Sequence, residues 1–352
     1  MKIALIAPVE ESVPPQKYGG TERVVDLLAK ELVKLGHDVT LFASGDSKTT
    51  AKLVVCSKYS VRTMPAANNS TLRRALNLRG LSKALDYIKK HDFDIIHNHF
   101  GWEFLLFSNL TNSAHVTTLH GSLNKKLEPT VYKMHGCYKK SPVISISNSQ
   151  RKHSPCLNYV GTVYNGIDLD HFDFNEKPKD YLAFLGRIHP QKGPDKAIEI
   201  AKKTNHKLIM AAKIDPIDYQ YFVKKVKPLI DNKQIVYIGE VNQKKKINLL
   251  KNAKALISPI TWDEPFGMVN IESLACGTPV ITINRGSIPE ILNKKVAFLC
   301  KDTEEMIKKV SKINEIDRKE CRRHVENHFS SKLMAQNYLK IYKKIINEQA
   351  NY

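Results

Sequence analysis

The chain has 352 residues, 42% of them hydrophobic and 26% charged, which is the make-up of an ordinary globular protein long enough for two domains. Its formal net charge of +20 is unusual; it suits a partner that carries phosphate, or else a lysine-rich surface kept soluble by charge. No DNA- or RNA-reading motif accompanies the charge, and aromatic residues are not clustered among the cations, so a nucleic-acid partner is not expected. The lysines concentrate at 124–140, 224–233 and 244–254. The six cysteines are scattered with no CxxC, as reduced, buried thiols would be. MKIALIAPVEES reads as a first strand rather than a signal peptide, and no stretch approaches the ~20 apolar residues of a membrane span. The expected location is the cytoplasm, with peripheral contact at the inner face of an anionic membrane left open.

In chain order, KIALIAP predicts a strand. TERVVDLLAKELVKLG predicts a helix with Val24, Leu28, Leu32 and Leu35 on one face, Thr21 as N-cap and Gly36 past its end. HDVTLFAS is the next strand, followed by strands at 94–98, 115–119, 142–146 and 161–164. NGIDLDHFDFNEKPK has no periodicity and reads as a linker. A second series follows: DYLAFLGRI, the helix GPDKAIEIAKKT, then the strands KLIMAAK, IVYIGE, AKALISPI and TPVITIN. The pattern predicts two Rossmann-like, doubly wound α/β domains, 1–170 and 171–329, facing each other across a cleft. A last helix over 330–352 packs back on the first domain. No repeat is visible at the level of sequence.

Ligands of open α/β sheets bind beyond the carboxyl ends of strands, so the residues there carry the functional reading. Gly19 and Gly20 precede a helix N-terminus, where backbone N–H groups point outward; a tight turn explains a glycine pair equally well. Arg187 and Lys192 sit after a strand in GRIHPQKG, where they could neutralise a diphosphate or stand as solvated surface cations. In EPFGMVNIESLACGTPVI the proline and glycine keep Glu264 in a loop and start a helix near Gly267, ending at Gly277. Glu272 then falls in its second turn. Acids so placed do not match the ~5 Å separation of a double-displacement glycosidase. The helix start between them, at Gly267, Met268 and Val269, is an anion site, so one acid near each end of a long ligand is the better reading.

The stretch from Glu264 to Glu272, followed by ACGTPV, closely resembles the Glu-x7-Glu signature of the family 4 glycosyltransferases, retaining enzymes of the GT-B fold that use nucleotide-sugar donors. GGTERVV, TLHG at 118–121, ISNS at 146–149, YNGID at 164–168, LGRIHPQKG at 185–193 and IGE at 238–240 extend the resemblance over nearly the whole chain. The resemblance implies that Gly19 and Gly20 place N–H groups near the donor phosphates and that Arg187 and Lys192 hold the diphosphate and stabilise the leaving nucleotide. It implies that Glu272 binds the ribose hydroxyls and that Glu264 contacts the transferred sugar near its anomeric carbon. Gly267, Met268 and Val269 would offer N–H groups to sugar and phosphate, His120 would shield the developing oxocarbenium, and Gly239 and Glu240 would border the base. Asn148 and Asn165 match motif positions with a supporting role.

Catalysis of this kind is mainly electrostatic and needs neither metal nor cofactor. Asp92-Phe93-Asp94 and Asp168-Leu169-Asp170 match DxD, but so short a pattern recurs by chance, one copy before a strand and one in the linker. His97 and His99 could line the acceptor site. UDP-glucose is the favoured donor, with GDP-mannose and UDP-GlcNAc as alternatives. The acceptor, a hydroxyl of a glycan, a lipid-linked or a small molecule, would meet loops at 58–82 and 122–140, where Lys125, Lys126, Lys133, Lys139 and Lys140 suit an anionic group. Two rival readings are an epimerase or hydrolase of nucleotide-sugars on the same fold, and a non-catalytic binder of nucleotide or polyanion.

Overall fold

Short β-branched runs alternating with amphipathic segments give parallel strands covered on both faces by helices. The computed structural model describes residues 1–17, 19–65, 69–123 and 141–350. The chain forms two units, Met1–Gly166 with Ser331–Tyr352, and Ile167–Ser330.

The first unit holds a parallel sheet of seven strands: β1 (Lys2–Ile6), β2 (Asp38–Ser44), β3 (Lys52–Ser57), β4 (Ile95–Asn98), β5 (Ala114–Leu119), β6 (Val143–Ser145) and β7 (Tyr159–Thr162), ordered β3-β2-β1-β4-β5-β6-β7. The order reverses between β1 and β4, whose register pairs Ile6 with Asn98. Helix α1 (Gly20–Lys34) buries Val24, Leu28 and Leu32, whereas Leu35 caps its end and is exposed. Thr21 is not the N-cap; Gly19 is, and it offers no side-chain capping bond. Helix α2 (Ser70–Ile88) occupies most of the segment expected to be an acceptor loop at 58–82. Its N-terminal half is largely exposed, while Leu81, Ala84, Leu85 and Ile88 join Ala4, Ile6, Phe42 and Ile96 in one apolar cluster. Asn69 caps it by accepting from the Leu72 N–H at 2.9 Å. The C-terminal helix (Ser331–Ala350) packs on α1 and β5, and Ser331 donates to Glu31 at 3.2 Å.

The second unit repeats the scheme with six parallel strands: β8 (Leu182–Arg187), β9 (Leu208–Lys213), β10 (Ile235–Tyr237), β11 (Ala255–Ser258), β12 (Val280–Ile283) and β13 (Ala297–Cys300), ordered β10-β9-β8-β11-β12-β13. Its reversal lies between β8 and β11. The segment expected to be a linker spans the boundary of the two units, with Asn165 and Gly166 in the first and the remainder anchored in the second. Ile167 and Phe172 are buried, and the buried guanidinium of Arg318 donates to the carbonyls of Asn175, Lys251 and Ala253 and to the Thr278 hydroxyl. Of the five cysteines described, Cys156 is exposed and the other four are buried; all five are free. Among the described residues no helix is long and apolar enough to cross a membrane.

Candidate functional site

In the second unit Lys192 and Glu264 sit at the strand-order reversal, where the carboxyl ends of β8 and β11 open loops side by side; in the first, Gly19 and Gly20 follow β1 at its reversal and His120 follows β5, one strand beyond β4. In the second unit β8 ends at Arg187 and leads into the turn carrying Lys192. Helices α4 (Pro194–Lys203) and α5 (Gln243–Asn252) precede the adjacent β11, which leads into the loop carrying Glu264 and then into helix α6 (Met268–Ala275). The Thr261 N–H donates to the Gln191 carbonyl at 2.9 Å and its hydroxyl to the Pro190 carbonyl at 3.1 Å, which ties the two loops together.

Lys192 Nζ stands 2.5 Å from Glu264 Oε2, and Trp262 Nε1 donates to the same oxygen at 2.9 Å. The ammonium also lies 5.5 Å from the centroid of the Trp262 ring, within cation–π range. Both contacts fall on Oε2; Oε1 has no partner among the described residues. Behind Glu264, the Ser287 N–H donates to its carbonyl at 3.0 Å. Gly286 has a left-handed backbone, φ +60°, and a Cβ there would lie 2.6 Å from the Glu264 nitrogen. Gly267, also left-handed, turns the chain into α6, leaving the N–H groups of Met268 and Val269 without intrahelical acceptors.

Glu272 lies in the second turn of α6 and is buried; Lys246 on α5 pairs with its Oε1. The two acids of the motif therefore each have their own lysine. Arg187 has partners too, with Nη1 at 3.4 Å from Asp215 Oδ2 and Nε at 3.6 Å from the buried Asp218. Gly239 follows β10 with φ +73°, and its carbonyl accepts from the Ala212 N–H at 2.9 Å; Glu240 comes next, at the same strand end.

In the first unit Gly19 and Gly20 open α1, and Glu22 in that first turn is buried. Burial raises the Glu22 carboxyl to about 7, its own backbone hydrogen bond opposes this, and Glu11 and Glu10 add to the rise against Arg62. His120 follows β5. Gln150, buried on α3 (Asn148–Arg151), donates to the carbonyls of Leu119 and Gly121 at 2.9 and 2.7 Å and so clamps the backbone on both sides of His120. Asn148 accepts from the Thr162 hydroxyl at 3.1 Å. Asn165 is buried, and its Oδ1 meets no hydrogen-bond donor among the described residues. Burial lowers the His120 imidazole to about 4. Its Nε2 lies 2.8 Å from Nδ1 of His99, whose Nε2 lies 3.1 Å from Nδ1 of His97.

The DxD acids have local tasks: Asp94 accepts the Lys2 N–H at 2.7 Å, and Asp168 accepts the Asp170 N–H at 3.2 Å and pairs with His171. The acceptor-side lysines Lys125, Lys126, Lys133, Lys139 and Lys140 lie outside the described residues. Sequence reasoning missed Lys246, Trp262, Gly286, Gln150 and Glu22. A tryptophan two residues before Glu264 was a readable signal; a lysine inside a KKK run and a glycine in a distant loop gave none.

The comparisons with known proteins agree with this architecture. The Glycosyltransferase Family 4 model matches residues 18–171, and the model for glycosyl transferases group 1 matches residues 167–330. The chain belongs to the family 4 glycosyltransferases, and its fold is GT-B. It is 26% identical over 334 residues to an uncharacterised glycosyltransferase of Methanocaldococcus jannaschii, covering 84% of each chain. Among solved structures it is similar to sucrose-phosphate synthase of Thermosynechococcus elongatus, with TM-score 0.79, 17% identity and 99% of each chain covered. It is also similar to Anabaena HepE solved in complex with UDP-glucose, with TM-score 0.71, 17% identity and 100% of each chain covered.

Proposed function

We propose that the protein is a retaining hexosyltransferase that takes its sugar from a nucleoside-diphosphate donor, UDP-glucose in the first place, and delivers it to a hydroxyl of a glycan, a lipid-linked or a small-molecule acceptor. The observation that carries this reading is the Lys192–Trp262–Glu264 cluster. One carboxylate oxygen of Glu264 is fixed by two donors, the other is left to receive a sugar hydroxyl, and a lysine stands beside it. The N–H groups of Met268 and Val269 follow within the same loop and helix start, suited to a negative phosphate oxygen.

Departure of a nucleoside diphosphate from an anomeric carbon puts negative charge on the β-phosphate and positive charge on the sugar. Lys192 and Arg187 stabilise the first and Glu264 the second, so the barrier falls by preorganised electrostatics, without a metal. Glu272 accepts from the ribose, Gly239 and Glu240 border the base, and Gly19, Gly20 and His120 of the first unit act on phosphate and sugar. Asn148 and Asn165 support those loops. UDP-glucose is put first because HepE, a neighbour in fold, was solved with it; GDP-mannose and UDP-GlcNAc stay as the alternatives.

A thermal-shift panel of the three nucleotide-sugars tests the donor. At ~100 Kd a ligand that binds only the native state adds ~2.7 kcal/mol, and UDP-glucose should give the largest rise. Proton NMR of the glycoside formed across an acceptor panel, with EDTA present, should show transfer with the anomeric configuration retained. Release of free sugar or an epimer with no glycoside would favour a nucleotide-sugar hydrolase or epimerase, and binding without turnover a non-catalytic role.

A further inference from the structure

Beside Arg187 the second unit buries an acid that no step of the proposed chemistry uses. The turn after β9, Pro216–Asp218, leaves Ile217 89% exposed while the next residue, Asp218, is buried. Burial of apolar surface alone favours the opposite arrangement, so it is the partners of the acid that hold it inside. Its Oδ2 faces Nε of Arg187 at 3.6 Å, and its Oδ1 faces Nε2 of His189 at 3.6 Å. Asp218 Oδ2 and Arg187 Nε are both buried with no hydrogen-bond partner among the described residues, so their pairing is one of charge. Asp215 Oδ2 takes another corner of the guanidinium, 3.4 Å from Nη1, while its Oδ1 lies 3.2 Å from Lys213 Nζ. Nη2 of Arg187 meets no acceptor among the described residues.

His189 connects the same acid to the second cation. The Gln191 N–H donates to His189 Nδ1 at 3.1 Å, which caps the turn Pro190–Lys192. A backbone N–H can only donate, so Nδ1 is the lone-pair nitrogen, and the proton of the neutral ring sits on Nε2, the atom that faces Asp218. Burial lowers the imidazole pKa; Asp218 opposes this, and Arg187 and Lys192 add to the fall against Asp215. The neutral ring is therefore the form present at neutral pH.

We infer that Asp218 is a positioning residue for two cations at once: it orients the Arg187 guanidinium directly, and through His189 it steadies the capped turn that carries Lys192. Arg187 is thereby held by Nε and Nη1 and presents Nη2. That the two cations serve a donor diphosphate rests on the proposed function; their orientation by Asp218 does not. The inference also fixes a sign. A negative charge beside a diphosphate site opposes binding by Coulomb repulsion, so an acid kept there for orientation should cost affinity while it aids turnover.

The test uses the full-length protein, UDP as the calorimetric probe and UDP-glucose for turnover. Asp218→Asn should bind UDP as tightly as the wild type or more tightly, while kcat falls on the order of tenfold because a charge-stabilising group is misplaced. His189→Ala should lower kcat by a similar factor, and His189→Asn, whose side-chain oxygen can cap the turn, should recover most of that loss. In the ligand-free protein, 15N NMR at about pH 8 should show His189 bare at Nδ1 and protonated at Nε2. The Arg187 Nε–H, assigned by its loss in Arg187→Lys, should exchange with water at least ~10-fold faster in Asp218→Asn. UDP affinity and kcat falling together in Asp218→Asn would mark a merely structural acid and overturn the inference, as would kcat unchanged in that variant. His189→Asn as impaired as His189→Ala would overturn the route to Lys192, and this pair decides the matter should Asp218→Asn fail to fold. If UDP does not bind the wild type, the transferase reading falls, and the NMR and exchange measurements by themselves decide whether Asp218 orients the two side chains.

Discussion

Lys192 Nζ and Glu264 Oε2 are 2.5 Å apart although 72 residues separate them in the chain. Adjacent strands β8 and β11 bring their loops together, and Trp262 holds both side chains by a hydrogen bond to the acid and its ring face toward the ammonium. Lys192→Ala should therefore cost turnover far more than donor binding. We expect at least a ~10²-fold fall in kcat, typical of losing one preorganised electrostatic group, with the calorimetric Kd for the donor changed only a few-fold. Equal losses in kcat and in affinity would mean that Lys192 binds the ground state and transition state alike.

The second acid of the motif has a separate partner. Glu272 and Lys246 form a largely buried pair, with side chains 7% and 11% exposed. Lys246→Met strands a carboxylate in α6 and should destabilise the protein by about 3 kcal/mol in urea unfolding. Lys246→Met combined with Glu272→Met removes both charges and should recover most of that loss. A double variant as unstable as the sum of the single ones would remove the case for a coupled pair.

Glu22 gives the stability a pH dependence of defined sign. Its carboxyl is raised from 4.5 to about 7 in the native state, chiefly by burial. The folded protein therefore holds this proton more tightly than the unfolded chain does. The contribution is complete below about pH 4.5 and is lost as pH rises through about 7, on the order of 3 kcal/mol by about pH 8. Glu22→Gln keeps a neutral side chain at every pH, so its stability relative to wild type should rise between about pH 5 and about pH 8. Urea titrations that track each other across that range would contradict the assignment.

Gly286 supports Glu264 from behind without touching any ligand in the proposed reaction. Gly286→Ala places a methyl 2.6 Å from the Glu264 nitrogen and 2.8 Å from its carbonyl oxygen, on a backbone with φ +60°. The loop must shift, with a stability loss of about 2 kcal/mol. Turnover should fall at least ~10-fold, since small displacements of a reacting group are costly. Unchanged turnover in a folded Gly286→Ala protein would show that the Glu264 loop does not need this support.

Much of this fold was legible because parallel strands buried on both faces read as continuous apolar runs, and α1 shows one apolar face from Val24 to Leu32. Helix α2 was not, since Leu72 and most of its first two turns face solvent and its apolar stripe begins only at Leu76 and Gly80. Strand β3 lies at the sheet edge and is only half buried, which blurs its pattern. The supposed linker carries no periodicity because its Ile167 and Phe172 are single anchors rather than a face.

The sequence by itself determined the class of fold, the helix start at Gly267 and the residue types of the candidate site, because local propensity and motif spacing are short-range properties of the chain. Only the tertiary structure decided the partners: Lys246 for Glu272, Gly286 behind Glu264, Tyr342 at the end of the histidine chain. Those pairings arise between helices and loops that flank β11 and β12 and where a helix from the far end of the chain returns to the first sheet, so the residues involved are close in space and apart in sequence.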